Sequence, residues 1–403
     1  MAIDTSTPAV VLFSARHGGL GITRTLGRMG VPVYNVDGGN LVPAFKSRYS
    51  KGNFQWDVEA EPPQASLEFF AGAARKLGRK AVLIPSSDAT AMFVAAHEKE
   101  LSEWFAFPKP GPALVRELTS KKEMFFLAKK LGIPTAETAF PKSREELLTY
   151  LKTAQFPVML KGISGLRLEA AAGKRMFIVR GREELLRMYD AYEDWSEPNF
   201  MLQEYIPGGD DTVWMFNGYF NKDSDCLVGF TGKKIRQYPV HTGLTCLGIC
   251  LRSDVVDQTT RRFMKAVRYR GILDIGYRFD ARDGQYKVLD INPRVGATFR
   301  LFVGKNGIDV VRAMYLDLTG QKVEDAPAPE GRRWIVEDCD LISSYRYIRA
   351  GKLGLMEWLK SHKGIQETAI FAFDDPLPAF WMAVRNLQIA FQSMSGEKRR
   401  ANS

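Results

Sequence analysis

The run Tyr286–Arg294, YKVLDINPR, sets a carboxylate (Asp290) two residues before a carboxamide (Asn292), with the guanidinium of Arg294 two residues further on. Val288, Leu289 and Ile291 predict a strand, and its period of two puts Asp290 and Asn292 on one face. Two oxygen ligands on one face, with a guanidinium just beyond, suit a Mg2+ that bridges phosphate groups. A buried strand closing in an Asp/Asn turn explains the bare Asp-x-Asn tripeptide equally well, so the reading turns on what else the chain carries. Lys121 stands at the start of a helix that stops at Gly132-Ile133-Pro134. Lys161 ends the apolar run Pro157-Val158-Met159-Leu160, a costly place for an ammonium unless it meets an anion. Gln203-Glu204-Tyr205-Ile206 ends a further strand, before Pro207-Gly208-Gly209-Asp210-Asp211.

The elements that must position these groups start with a βαβ pattern. Ala9–Ser14 reads as a buried strand, 17–21 as a glycine turn, Ile22–Met29 as a helix ended by Gly30, and Val31–Val36 as the next strand. That order implies a parallel sheet. Ala81–Pro85 is another strand, and Ser86-Ser87-Asp88 can cap the helix after it. Pro108-Lys109-Pro110-Gly111-Pro112 marks a domain boundary, and Pro327 with Pro329 marks another. Thr212–Leu251 reads as antiparallel strands, and Gly276–Asp280 with Gln285–Ile291 as a hairpin around Ala281–Gly284. A last helix is expected near Ala379–Met394.

A chain of 403 residues, 45% hydrophobic and 25% charged, fits a globular enzyme of two or three domains. Four scattered cysteines, Cys226, Cys246, Cys250 and Cys339, form neither a disulfide framework nor a zinc signature, which points to a reducing cytoplasm. The first residues lack the cationic start of a signal peptide, and no apolar stretch reaches the length of a membrane span. The formal charge of +10 favours anionic partners, but the basic residues are spread and no nucleic-acid motif is present. The basic run 397–400 reads as a solvated end.

Taken in order, the α/β opening, the linker, the two lysines, the Gln203–Ile206 strand and the terminal Asp-x-Asn resemble the ATP-grasp superfamily over roughly residues 9 to 320. Within it the chain looks like the carboxylate–amine ligases of the D-aspartate-ligase and carbamoyl-phosphate-synthase kind. The resemblance implies an α/β and α+β fold: a Rossmann-like preATP-grasp domain over 1–112, a lysine-bearing subdomain over 113–205, a metal- and substrate-side subdomain over 206–326, and a C-terminal aromatic, helical extension over 327–403. It implies Lys121 (or Lys122 in another helical register) and Lys161 on the nucleotide phosphates. Gln203, Glu204, Ile206 and Asp211 would serve the adenine and ribose, and Asp290 and Asn292 would hold Mg2+, with Mn2+ able to substitute. Family members carry one more acid on the preceding hairpin strand. Counting back reaches Gly276 or Arg278, so Asp280 is the expected third carboxylate and Asp274 the reserve. Gly162–Gly173 stands where the family has a flexible phosphate-covering loop, although its middle, LRLEAAAG, departs from the usual glycine run. Arg236 and Arg294, with Arg300 behind them, are candidates for the transferred phosphoryl group, and His241 lies beside Arg236 in sequence.

The implied reaction joins a carboxylate to an amine through an acyl phosphate, at the expense of ATP. No nucleophilic side chain is required, in agreement with the lack of a Ser/His/Asp or Cys/His signature. The missing hairpin acid and altered loop frame an alternative, a nucleotide-binding regulatory protein with impaired turnover. A dinucleotide fingerprint at Gly18–Gly21 is a weaker rival, because Arg24 stands where its third glycine belongs. For the aromatic C-terminal region, a cover over the acceptor site, a homodimer contact and a membrane-surface contact are open roles, while core packing accounts for most of its aromatic residues.

Overall fold

The structure, a computed structural model, describes residues 3–14, 17–240, 243–324, 327 and 330–388. His241, Pro329 and the basic run 397–400 lie outside the described residues. The strands are β1 (Ala9–Leu12), β2 (Val33–Asp37), β3 (Ser50–Gln55), β4 (Ala81–Pro85), β5 (Phe105–Ala106), β6 (Thr138–Ala139), β7 (Val158–Gly162), β8 (Met176–Val179), β9 (Phe200–Glu204), β10 (Val213–Phe220), β11 (Cys226–Tyr238), β12 (Leu244–Cys250), β13 (Gly271–Asp280), β14 (Gln285–Asn292), β15 (Arg333–Ile335) and β16 (Ile365–Thr368). They form sheets ordered β3-β2-β1-β4-β5, β6-β9-β7-β8 and β14-β13-β10-β11-β12-β15-β16. By contacts the chain divides into two compact units: residues 1–115, 215–274 and 292–403, and residues 116–214 with 275–291.

In the first unit, β1 pairs in parallel with β2 and β4, as the βαβ pattern requires. All four residues of β1 are buried, so the strand reads as a continuous apolar run. The expected glycine turn is absent: the helix already starts at His17 and runs to Gly27. Its glycines serve close packing instead. A Cβ on Gly19 would sit 2.5 Å from the Ser14 Cα, and one on Gly21 would press the Phe299 ring at 3.1 Å. The same helix carries Arg24, 4% exposed, whose Nε donates to Asp375 Oδ2 at 2.9 Å. Asp375 also accepts from the Ser47 hydroxyl at 2.7 Å and the Arg48 N–H at 2.9 Å. Arg28 and the Tyr49 hydroxyl hold Asp374 in the same way. Residues 374–375 thus latch onto the first helix. Downstream, β15 pairs with β12 and β16, and the chain is helical over 377–388.

In the second unit, β7 lies antiparallel between β8 and β9, with Lys161 opposite Met201 and Met176. Leu147, Leu160, Leu168, Leu185, Tyr189 and Leu202 belong to its buried core. Ser120, Ser143 and Ser164 each cap a helix by accepting an N–H three residues on. The third of these helices, Gly165–Ala172, occupies the stretch expected to be a flexible loop. Leu168 is buried there and Gly173 ends the helix with φ 72°. The hairpin is tied to the chain after the first lysine's helix: Val288 N–H donates to Pro134 O at 2.9 Å.

Candidate active site

The unit boundary falls between Ile291 and Asn292, so the two halves of the DINPR motif belong to different units.

The second unit gathers the lysines. Lys121 is the first residue of its helix, and its ammonium donates to the Gly162 carbonyl at 3.0 Å. Lys161 is partly buried on β7 and donates to Gln203 Oε1 at 2.6 Å, while the Gln203 amide reaches the Thr138 hydroxyl at 3.3 Å. Burial, and then the charge of Lys121, pull the Lys161 ammonium down to about 8; Arg278 adds to this and Asp290 opposes it. Arg278 donates to the Gly208 carbonyl at 2.7 Å, and its Nε is buried with no hydrogen-bond partner among the described residues. Burial lowers its pKa as well, against the opposing field of Tyr205, Asp210 and Asp211. A lysine whose protonation is depressed by burial and by neighbouring cations, beside a guanidinium with one unsatisfied N–H, forms a cradle suited to a polyanion. Asn199 braces this region: its Oδ1 accepts from Ser164 N–H at 2.8 Å, and its Nδ2 donates to Ser164 O at 3.2 Å.

Asp290 is exposed on β14, and Gly276 stands against it: a Cβ at 276 would lie 2.5 Å from Asp290 Oδ1. The position reached by counting back therefore holds a glycine that leaves room for the carboxylate.

Asp280 does not fill the role of third metal carboxylate. It is fully buried, accepts from Arg282 Nε at 2.8 Å and from Lys287 Nζ at 2.7 Å, and is held well below the ordinary carboxylate range by Arg282 and then Lys287. Glu204 closes the same network, paired to Arg282 and, at 3.4 Å, to Lys287. Its backbone N–H is also committed, to Glu137 O at 2.8 Å. Ile206 is buried, and Asp211 is exposed on the short helix Asp210–Thr212.

In the first unit, Asn292 Nδ2 lies 3.4 Å from Asp274 Oδ2, and Asn217 Nδ2 donates to Asp274 Oδ1 at 3.1 Å. Asp274, not Asp280, is therefore the acid beside the asparagine. Asn217 is fully buried, and its Oδ1 has no partner among the described residues. Gly296 is required here, since its Cβ would strike Asp274 Cγ at 2.4 Å. Arg294 donates to Asn292 Oδ1 at 3.2 Å and pairs with Asp88 at 2.6 Å, so it orients the amide. A cavity of about 50 Å3 adjoins Arg294, lined by Ile84, Val94, Phe107, Tyr269 and Met314 among others. That volume admits a small group and excludes a nucleotide.

Arg236 is not a phosphate ligand. It is 4% exposed, bonded through Nε to Asp340 Oδ1 at 2.8 Å, through a terminal nitrogen to Asp340 Oδ2 at 3.0 Å, and to the Ser361 hydroxyl at 2.7 Å. Arg300 is likewise committed, to Asp309 and to Glu367 at 2.7 Å.

The donor set fits a nucleotide and a hard cation. Among the described residues no three His, Cys, Asp or Glu side chains converge on a metal position. A Mg2+ would therefore take one or two carboxylates and an amide from the protein, with water and phosphate oxygens completing six ligands, as that ion tolerates.

No protein-family model matches the chain. It is 27% identical over 245 residues to a D-aspartate ligase of Enterococcus faecium, covering 58% of this chain and 58% of that one. It is 24% identical over 221 residues to the C-terminal section of the carbamoyl phosphate synthase large chain of Methanocaldococcus jannaschii, covering 53% and 34%. The chain thus spans little more than half the length of the first relative and about a third of the second. Among solved structures, an ADP complex of N5-carboxyaminoimidazole ribonucleotide synthetase aligns over 83% of this chain and 82% of its own, with TM-score 0.63 at 11% identity. A biotin carboxylase from Campylobacter jejuni aligns over 79% and 72%, with TM-score 0.62 at 14% identity. The sequence likeness to these ligases and the fold likeness to these solved structures bear out the chain's resemblance to the ATP-grasp superfamily.

Proposed function

We propose that the chain is an ATP-dependent, ADP-forming carbon–nitrogen ligase that activates a small carboxylate as an acyl phosphate and joins it to an amine. The observation that carries this reading is the cradle of Lys121, Lys161 and Arg278, with its depressed ammonium and unsatisfied guanidinium N–H. A carboxylate oxygen attacks the γ-phosphorus and the bond to the bridging oxygen of ADP breaks. The amine nitrogen then adds to the acyl carbon, phosphate leaves, and the nitrogen loses a proton. Catalysis is positioning and charge neutralisation. Lys121, Lys161 and Arg278 hold the phosphate oxygens, and Gln203 fixes Lys161. The backbone of 204–206 and the Ile206 side chain serve the adenine. Asp211 serves the ribose, and Glu204 braces that strand through Arg282 and Lys287. Mg2+, or Mn2+ in its place, would supply charge neutralisation when bound: in the first unit Asn292 and Asp274 can hold it, with Arg294 orienting Asn292, and in the second unit Asp290 can.

The impaired-enzyme reading rests on a missing hairpin acid and an altered loop; the loop stretch is indeed helical over Gly165–Ala172, but Asp274 beside Asn292 answers the first ground and supports turnover. Free thiols at all four cysteines support a reducing cytoplasm. The test is ADP release over paired panels of carboxylates and amines, D-aspartate and other amino acids first, with mass spectrometry of the product. ADP release that needs both an acid and an amine supports the proposal. Tight binding of the non-hydrolysable analogue AMPPNP without turnover on any pair would return the reading to a nucleotide-binding regulator.

A further inference from the structure

The helix Glu337–Arg349 is amphipathic in an inverted sense. Its buried face is polar: Asp340 pairs with Arg236, the Ser343 hydroxyl donates to Gln237 O at 2.6 Å, and the Ser344 hydroxyl lies 3.3 Å from Asp340. Its outward face is apolar. Leu341, Ile342, Tyr345 and Ile348 are 63%, 43%, 59% and 37% exposed. Leu341, Tyr345 and Ile348 follow the i, i+4, i+7 spacing of a single stripe. The next helix, Leu355–Ser361, repeats the pattern with Leu355, Met356 and Leu359, each more than half exposed. Monomeric soluble proteins rarely leave so much contiguous chain apolar on the outside.

Charge identifies what covers it. Within 341–363 the exposed cations are Arg346, Arg349, Lys352, Lys360 and Lys363, and Glu357 is the single acid. A symmetric contact with a second copy would bring each set of cations against its own duplicate, which repels. An anionic bilayer surface accommodates both parts, with Leu, Ile and Met side chains entering the acyl boundary while Arg and Lys reach back to the headgroups. No helix among the described residues is long and apolar enough to cross a membrane, so the contact lies along the surface. We propose that residues 341–363 dock this protein on an anionic lipid surface.

The experiment is co-sedimentation of the full chain with vesicles of phosphatidylcholine alone and of phosphatidylcholine with phosphatidylglycerol. Binding is expected with the anionic vesicles only, and it should weaken as salt rises. The double variants Leu355→Gln/Leu359→Gln and Arg349→Gln/Lys352→Gln are each expected to lower partition on the order of tenfold or more. Both should keep the wild-type melting temperature and AMPPNP affinity. Equal binding to neutral and anionic vesicles, or wild-type partition by both variants, overturns the proposal. So does a wild-type dimer that Leu355→Gln/Leu359→Gln converts to monomer without any vesicle binding, because the second copy is then the occupant.

Discussion

Nucleotide binding should draw a proton onto Lys161. In the ligand-free protein its ammonium titrates at about 8 instead of 10.5, because it is buried beside Lys121 and Arg278. That difference amounts to about 3 kcal/mol against the charged form. The folded value lies below the unfolded one, so charged Lys161 destabilises the fold at low pH, and this penalty is relieved as pH rises from about 8 to about 10.5. A triphosphate placed beside the ammonium favours the charged form and returns its pKa towards the ordinary value. Binding then takes up about 0.1 proton at pH 7, about 0.5 at pH 8 and about 0.9 at pH 9, and affinity falls roughly tenfold per pH unit above 8. Titration calorimetry with Mg2+ and AMPPNP, repeated in buffers of different ionisation heat, reads the proton count directly. Lys161→Met should abolish the uptake. Lys121→Met, which removes a repelling charge, should raise the Lys161 pKa and bring uptake at pH 8 below one half. Equal proton counts for wild type and Lys161→Met would refute the assignment of this lysine to the phosphates.

Asp274→Asn should raise the Mg2+ concentration needed for activation, whereas Asp280→Asn should leave it unchanged. The Asp280 change should instead remove the stability that its ion pairs supply above about pH 4 and that is lost as pH falls below it; magnesium titrations and acid melts separate the two effects. Gly276→Ala places a Cβ 2.5 Å from Asp290 Oδ1, so turnover should fall while the melting temperature stays within a few degrees, and an unaltered kcat would count against the placement of Asp290. Arg236→Met removes the bidentate partner of the buried Asp340, leaving it the Ser344 hydroxyl and the His362 imidazole at 3.2 Å, and should cost about 3 kcal/mol in a denaturant melt. Activity per folded molecule should survive, and a loss of kcat at unchanged stability would restore Arg236 to the chemistry.

The strands β1, β4 and β7 were legible because their apolar runs end at a serine, a proline and a charged residue, and Lys161 stood out as the charge closing such a run. The 17–21 segment was read as a turn because its glycines resemble local punctuation. They answer to Ser14 and Phe299, and the second of these contacts is distant in sequence. Arg236 shows the same limit: its partner Asp340 lies 104 residues away, and no local pattern couples them. Asp280 was misjudged by counting along the hairpin, although Arg282 two residues on and Lys287 seven residues on were a local sign of an ion-pair network. Arg278 and Asn217 were missed for another reason. An unsatisfied polar atom becomes visible only once its surroundings are known to be dry.

The latch between Arg24 and Asp375 spans 351 residues, so during synthesis the amino-terminal helix emerges long before its counter-ion exists. At about 5–20 residues per second the ribosome needs roughly 20–70 s to supply that aspartate. Until then the nascent domain must keep a guanidinium wet that the finished protein keeps dry, and its final compaction has to wait for the segment that carries Asp375.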